Sequence, residues 1–139
     1  MPDINGKTLL VGLLATPIRH SNSPRMQSEA FAMTGVNCVQ LAFEVGNEQL
    51  EDAVKGLRAL GAVGFNVSMP NKRMVTQYLD ELSTAAALSG SVNTVVNDNG
   101  RLIGHNTDGY GFWESLRRNN IEFVGKKATL VGPGGVGAA

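Results

Sequence analysis

Lys72 and Asp108 each stand shortly after an apolar, strand-length run, where a side chain can reach a ligand crevice. Together they would make an acid-base pair, able to take up a hydroxyl proton while a hydride leaves the carbon that bears it. Taken singly, Lys72 could be a solvated surface cation and Asp108 a helix cap. Ser21 and Ser23 put two hydroxyls into a loop at a helix start, a setting that suits a carboxylate. Ser23 could equally serve only as the cap of that helix. Ser68 opens the polar segment that carries Lys72, while Asn93 and Asn106 could orient sugar-like hydroxyls or simply satisfy the backbone of their turns.

Other chemistries find little support. His20 and His105 are the only histidines and no cysteine or carboxylate cluster accompanies them, so no zinc site is expected. No serine occupies a G-x-S-x-G elbow, which argues against a hydrolase triad. Cys38 is the single cysteine, so an intramolecular disulfide is excluded and a small core residue is expected.

The elements that must hold these residues follow from the apolar pattern. Leu9 to Leu14 reads as a strand; a polar loop comes next, then Ser23-Pro24 as cap and first helical residue. Met26, Ala30 and Met33 recur at helical spacing, and Gly35 stops the helix. Val39 to Val45 is a second strand, and Glu48 to Leu60 a helix with Leu50, Val54, Leu57 and Leu60 on one face. A third strand near Val63 to Val67 runs into Ser68, and Met74, Val75, Tyr78 and Leu79 suggest a further helix. Val92 to Val96 and Arg101 to Gly104 form a hairpin through Asn99-Gly100. Asp108 opens a helix on which Tyr110, Phe112, Trp113 and Leu116 are expected to pack. Strand-helix units in series imply an α/β, three-layer domain whose sheet is mostly parallel, and the hairpin makes that sheet mixed.

The last stretch, Ala128 to Val131 followed by Gly132-Pro133-Gly134-Gly135-Val136-Gly137, reads as a strand entering a glycine-rich loop, the setting of a dinucleotide site. Gly132 would permit the turn and Gly134 the approach of a pyrophosphate. Pro133 removes one backbone donor from that cradle, and a plain tail is the alternative. The expected division is therefore a substrate domain over residues 1–107, a connecting helix over 108–125, and the truncated start of a Rossmann domain over 126–139.

The 42% hydrophobic content is enough for a core, and 12 basic against 12 acidic residues leave no net field to attract nucleic acid or anionic membranes. Neither a secretory signal nor an apolar run of bilayer length is present, which makes the cytoplasm the expected location.

Four ordered stretches, Pro17 to Pro24, Asn66 to Lys72, Ser91 to Thr94 and Gly104 to Gly109, with a fifth at Gly132 to Gly135, make the sequence similar to the shikimate/quinate 5-dehydrogenase family. The resemblance implies a two-domain oxidoreductase interconverting shikimate and its 3-dehydro form with NADP or NAD. It also implies that Ser21 and Ser23 bind the ring carboxylate, Lys72 and Asp108 act at the reacting hydroxyl, Asn93 and Ser68 recognise substrate, and Gly132, Gly134 and Gly135 contribute to the cofactor loop. The stretch Met69-Pro70-Asn71-Lys72 departs from the aromatic-containing or histidine-containing version of the shikimate-specific branch and looks more like the branch that also accepts quinate. The implied partner is a small cyclic hydroxy acid, with neither nucleic acid nor membrane. A chain without the second domain is expected to expose an apolar patch, to self-associate as a homo-oligomer or lose stability, and to bind shikimate only in the millimolar range or weaker. Two other readings remain: a catalytically silent substrate-binding fragment, and a related two-domain enzyme such as a methylenetetrahydrofolate dehydrogenase.

Overall fold

The computed structural model describes residues 4–132, 137 and 139. Six strands, β1 (Leu9–Ala15), β2 (Cys38–Glu44), β3 (Gly64–Val67), β4 (Glu81–Leu82), β5 (Thr94–Asp98) and β6 (Arg101–His105), form one sheet in the order β2-β1-β3-β5-β6-β4. β1 pairs in parallel with both β2 and β3, and β4 with β6, while β5 is antiparallel to β3 and to β6. β5 alone is therefore reversed, and the expected α/β fold with a mixed, mostly parallel sheet is what forms.

The crossovers are α1 (Ser23–Met33) between β1 and β2, and α2 (Leu50–Ala59) between β2 and β3. Leu50, Val54 and Leu57 of α2 are buried on one face of the sheet with Leu14, Phe65, Val67 and Val95, which builds the main core. Alternation along the strands sends Leu13 and Ala15 to the opposite face, where they cluster with Ile18. α1 runs beside β2 on that side, and the Ser28 hydroxyl accepts a hydrogen bond from Gln40 N at 3.1 Å.

The helix expected over Met26, Ala30 and Met33 forms as α1, with Met26 and Met33 facing outward, 59% and 88% exposed, and no residue fully buried. Other expectations need correction. The segment at Met74–Tyr78 is a single 3-10 turn, and two elements unmarked by the apolar pattern come after it: β4 and the short helix α3 (Thr84–Ser89), whose cap Ser83 accepts from Ala86 N. The helix α4 (Asp108–Arg118) forms, but Tyr110, Phe112 and Trp113 are exposed, because no element among the described residues covers that face. Ala128 to Val131 is not a strand, since a strand needs a ladder partner and none lies beside it among the described residues. No helix among the described residues is long and apolar enough to cross a membrane.

Candidate active site

Because β5 is reversed, its amino end lies beside the carboxyl ends of β1, β3 and β6. The segments leaving β1 (with Ser21 and Ser23), β3 (with Ser68 and Lys72) and β6 (with Asn106 to Asp108), together with Asn93 entering β5, all gather at this end. Backbone bonds stitch them together: Thr16 N donates to Met69 O at 3.0 Å, Val67 N to Asn93 O at 2.9 Å, Val92 N to Lys72 O at 2.8 Å and Asn93 N to His105 O at 3.0 Å.

At the centre, Lys72 Nζ donates to Asp108 Oδ2 at 2.6 Å, with side chains only 12% and 22% exposed. Asn93 Nδ2 donates to the other carboxylate oxygen, Asp108 Oδ1, at 2.9 Å and to Thr107 Oγ1 at 2.9 Å. The carboxylate thus has a cation on one oxygen and an amide on the other. Thr107, not Asp108, is the cap residue of α4, so helix capping does not account for the Asp108 side chain. Such a pair can give a proton to, or take one from, an oxygen placed against Lys72.

Two buried asparagines hold this pair. Asn106, 9% exposed, donates through Nδ2 to Ser91 Oγ at 2.8 Å and accepts at Oδ1 from Asp108 N at 2.9 Å. It faces inward, so it orients no substrate hydroxyl and instead fixes the backbone from which Asp108 projects. Asn71, fully buried, donates through Nδ2 to Val45 O at 2.8 Å, which ties the Lys72 loop to the end of β2. A phenylalanine there, with no donor, could not make that tie.

Ser21 Oγ accepts from Ser23 N at 3.2 Å at the start of α1. Ser23 is the first helical residue, not the cap; that place falls to Asn22, which makes no side-chain cap bond. Both serines are partly exposed, as is Ser68, whose N–H donates to Leu14 O at 3.0 Å just beyond the end of β3. Of the glycines expected at the cofactor loop, Gly132 has φ +79°, a conformation that favours glycine, while Gly134 and Gly135 lie outside the described residues. Gly132 alone does not make a dinucleotide cradle. Burial pushes the Cys38 thiol up, and at 1% exposure Cys38 is the small core residue expected.

Sequence reasoning passed over the support for Asn93. Thr94 Oγ1 donates to Asn93 Oδ1 at 3.0 Å, Asn66 Nδ2 donates to Thr94 Oγ1 at 3.2 Å, and Gln40 Nε2 donates to Asn66 Oδ1 at 2.7 Å. The available signal was polarity inside apolar strands: Gln40 between Val39 and Leu41, and Asn66 between Phe65 and Val67.

Residues 13–95 match the family model described as the shikimate dehydrogenase substrate binding domain. The chain is 55% identical over 136 residues to a shikimate dehydrogenase (NADP(+)) of Listeria monocytogenes, covering 98% of this chain and 47% of that protein. It is 56% identical over 138 residues to a Streptococcus pyogenes enzyme of the same name, again covering 98% and 47%. The crystal structure of shikimate 5-dehydrogenase from Listeria monocytogenes in complex with shikimate and NAD superposes with a TM-score of 0.92 at 54% identity, over 99% of this chain and 48% of that one. The chain spans about half the length of the curated relatives it matches.

Proposed function

Because the chain belongs to the shikimate dehydrogenase substrate-binding domain family, we propose that it holds shikimate, and quinate as a second substrate, for an NADP- or NAD-dependent oxidoreductase reaction. The observation that carries this reading is the Lys72 to Asp108 contact of 2.6 Å in a mostly sheltered position. Ser21 and Ser23 would receive the ring carboxylate at the start of α1, where hydroxyls and backbone N–H groups meet. Ser68 and Asn93 would receive ring hydroxyls beside the pair. In the reducing direction Lys72 donates a proton to the carbonyl oxygen as it becomes a hydroxyl; in the oxidising direction that proton returns to the pair, Asp108 keeping the lysine in place throughout. A nicotinamide dinucleotide, when bound, supplies or takes the hydride. The same reading places the protein in the cytoplasm, which the single buried cysteine suits.

The test is a titration of 15N-labelled protein with shikimate and with quinate, paired with NADP and NAD reduction assays. Shifts should gather at Ser21, Ser23, Ser68, Lys72, Asn93 and Asp108 and should saturate in the millimolar range or above. In the chain joined to the nucleotide-binding half of the Listeria relative, Lys72→Met and Asp108→Asn should each lower turnover by about 10²–10⁴. Shifts elsewhere, or undiminished turnover in Lys72→Met, would overturn the assignment. Turnover by the 139-residue chain alone would show that it holds the cofactor by itself; binding without turnover would make it a substrate-binding unit.

A further inference from the structure

We propose that Gln40, Asn66 and Thr94 are positioning residues: a one-way chain of hydrogen-bond donors that crosses the sheet and holds in place the Asn93 amide that faces the Asp108 carboxylate. The proposal deepens the functional reading above and rests on it only for the use to which Asn93 and Asp108 are put.

The direction of the chain is set by groups with no choice of role. An ionised carboxylate only accepts and a backbone N–H only donates. Asn93 has Asp108 Oδ1 at 2.9 Å from its Nδ2 and Thr107 N at 3.1 Å from its Oδ1, so its amide has one satisfactory orientation. Its Oδ1 must then be an acceptor for Thr94, whose single hydroxyl proton is thereby committed. The Thr94 oxygen is left to accept from Asn66 Nδ2, which also reaches the Asn93 carbonyl at 3.3 Å, another group that can only accept. The Asn66 oxygen consequently turns toward β2 and accepts from Gln40 Nε2. Every link has its donor on the Gln40 side and its acceptor on the Asp108 side, and links aligned in this way polarise one another.

The register explains how the links meet. Leu13 pairs with Asn66 and Asn66 with Thr94, which brings Asn66 and Thr94 onto one face of the sheet, opposite the core face of Phe65 and Val67. Gln40, paired with Val11, reaches Asn66 across β1. Gln40 is 2% exposed and its Oε1 has no hydrogen-bond partner among the described residues. A leucine would remove the unpaired Oε1 but leave Asn66 Oδ1 without the donor that Gln40 supplies, so what glutamine adds is the donation to Asn66.

The test tracks the side-chain amide of Asn93 in the 15N-labelled chain without substrate, together with thermal unfolding. In Thr94→Val the hydrogen exchange of that amide should become about five- to tenfold faster, and in Thr94→Ser it should stay within about twofold of the parent. Gln40→Leu guards against a fold failure in the valine variant: it exchanges the unpaired Oε1 for an unpaired Asn66 Oδ1, so its thermal midpoint should change little, while Asn93 amide exchange quickens by about threefold. Unchanged Asn93 exchange in Thr94→Val or Gln40→Leu, with or without a change in midpoint, would reduce these residues to packing and overturn the proposal. Neither readout needs shikimate, so a failure to bind shikimate would count against the functional reading and not against the donor chain.

Discussion

Asn106→Ala separates the support of the site from its chemistry. Asn106 is 9% exposed, and its Nδ2 lies 2.8 Å from Ser91 Oγ, 3.1 Å from Ser91 O and 3.2 Å from Ser89 Oγ, while Oδ1 receives Asp108 N at 2.9 Å. Alanine removes two donor hydrogens and one acceptor from a place that water barely reaches. At a net of about 1 to 1.5 kcal/mol for each of two or three satisfied bonds, the loss is about 2–4 kcal/mol. Urea unfolding followed by far-UV circular dichroism reads this as a lower midpoint at unchanged slope. Asn106→Asp keeps the acceptor for Asp108 N but turns a carboxylate oxygen toward Ser91 O and adds a negative charge close to Asp108, so at neutral pH it should cost at least as much. The reasoning also requires that the Asp108 backbone loses its anchor, so shikimate-induced shifts at Asp108 should vanish in Asn106→Ala under conditions where the chain remains folded. A midpoint change equivalent to less than about 0.5 kcal/mol, or intact shikimate shifts at Asp108, would refute the placement of Asn106 as the anchor.

Gly64→Ala should unfold the chain or destabilise it by at least about 3 kcal/mol, because a methyl built at Gly64 falls on the Val95 carbonyl oxygen inside the β3–β5 ladder, where backbone cannot yield; thermal melting checks this, and a near-parental midpoint would contradict it. Glu114 is held below the usual carboxylate range by hydrogen bonds from Arg117 and then Arg118. Its folded value is thus lower than its unfolded one, so the stabilisation is full above the unfolded value and disappears as the pH falls through the folded one. Carbon-13 shifts of α4 should therefore lose helical character on acidification through that window in the parent and not in Glu114→Gln, whose α4 is weaker already at neutral pH; identical acid profiles would refute the assignment.

The sheet, the two crossovers and the hairpin were legible because each rests on a local rule. Apolar runs of strand length, the periodic face of Leu50, Val54 and Leu57, and an Asn-Gly turn all act within a dozen residues. Met26, Ala30 and Met33 signalled the helix but not its buried face, because helical spacing reports only that residues share a face; with α1 lying beside an edge strand, the methionine face is the outer one. β4 is two residues long and paired to β6 over Glu81 and Leu82, too short for any periodicity to register. The positions of Lys72, Asn93 and Asp108 could be guessed from strand ends, and the family resemblance paired Lys72 with Asp108, yet no local rule brings these two residues, 36 apart, into contact. Asn106 was legible as polar but not as buried, since its burial depends on Ser91 arriving from before β5.

That arrival is the work of the reversed strand. A wholly parallel sheet brings to its carboxyl edge only residues that come after a strand; reversing β5 adds residues that come before one, and so Ser91 and Asn93 meet Asn106 and Asp108 across the hairpin. The meeting depends on register. Asp98 pairs with Arg101 and Thr94 with His105, which sets Asn93 opposite Asn106. A slip of one residue would send Thr94 and its neighbours to the other face. The register is fixed at the far end of the sheet, where Asn99 at φ 52° and Gly100 at φ 94° make a two-residue turn and Asn97 Oδ1 accepts from Gly100 N at 2.7 Å. A turn at the opposite end of the sheet from the ion pair therefore decides whether the Asn93 amide reaches Asp108 at all.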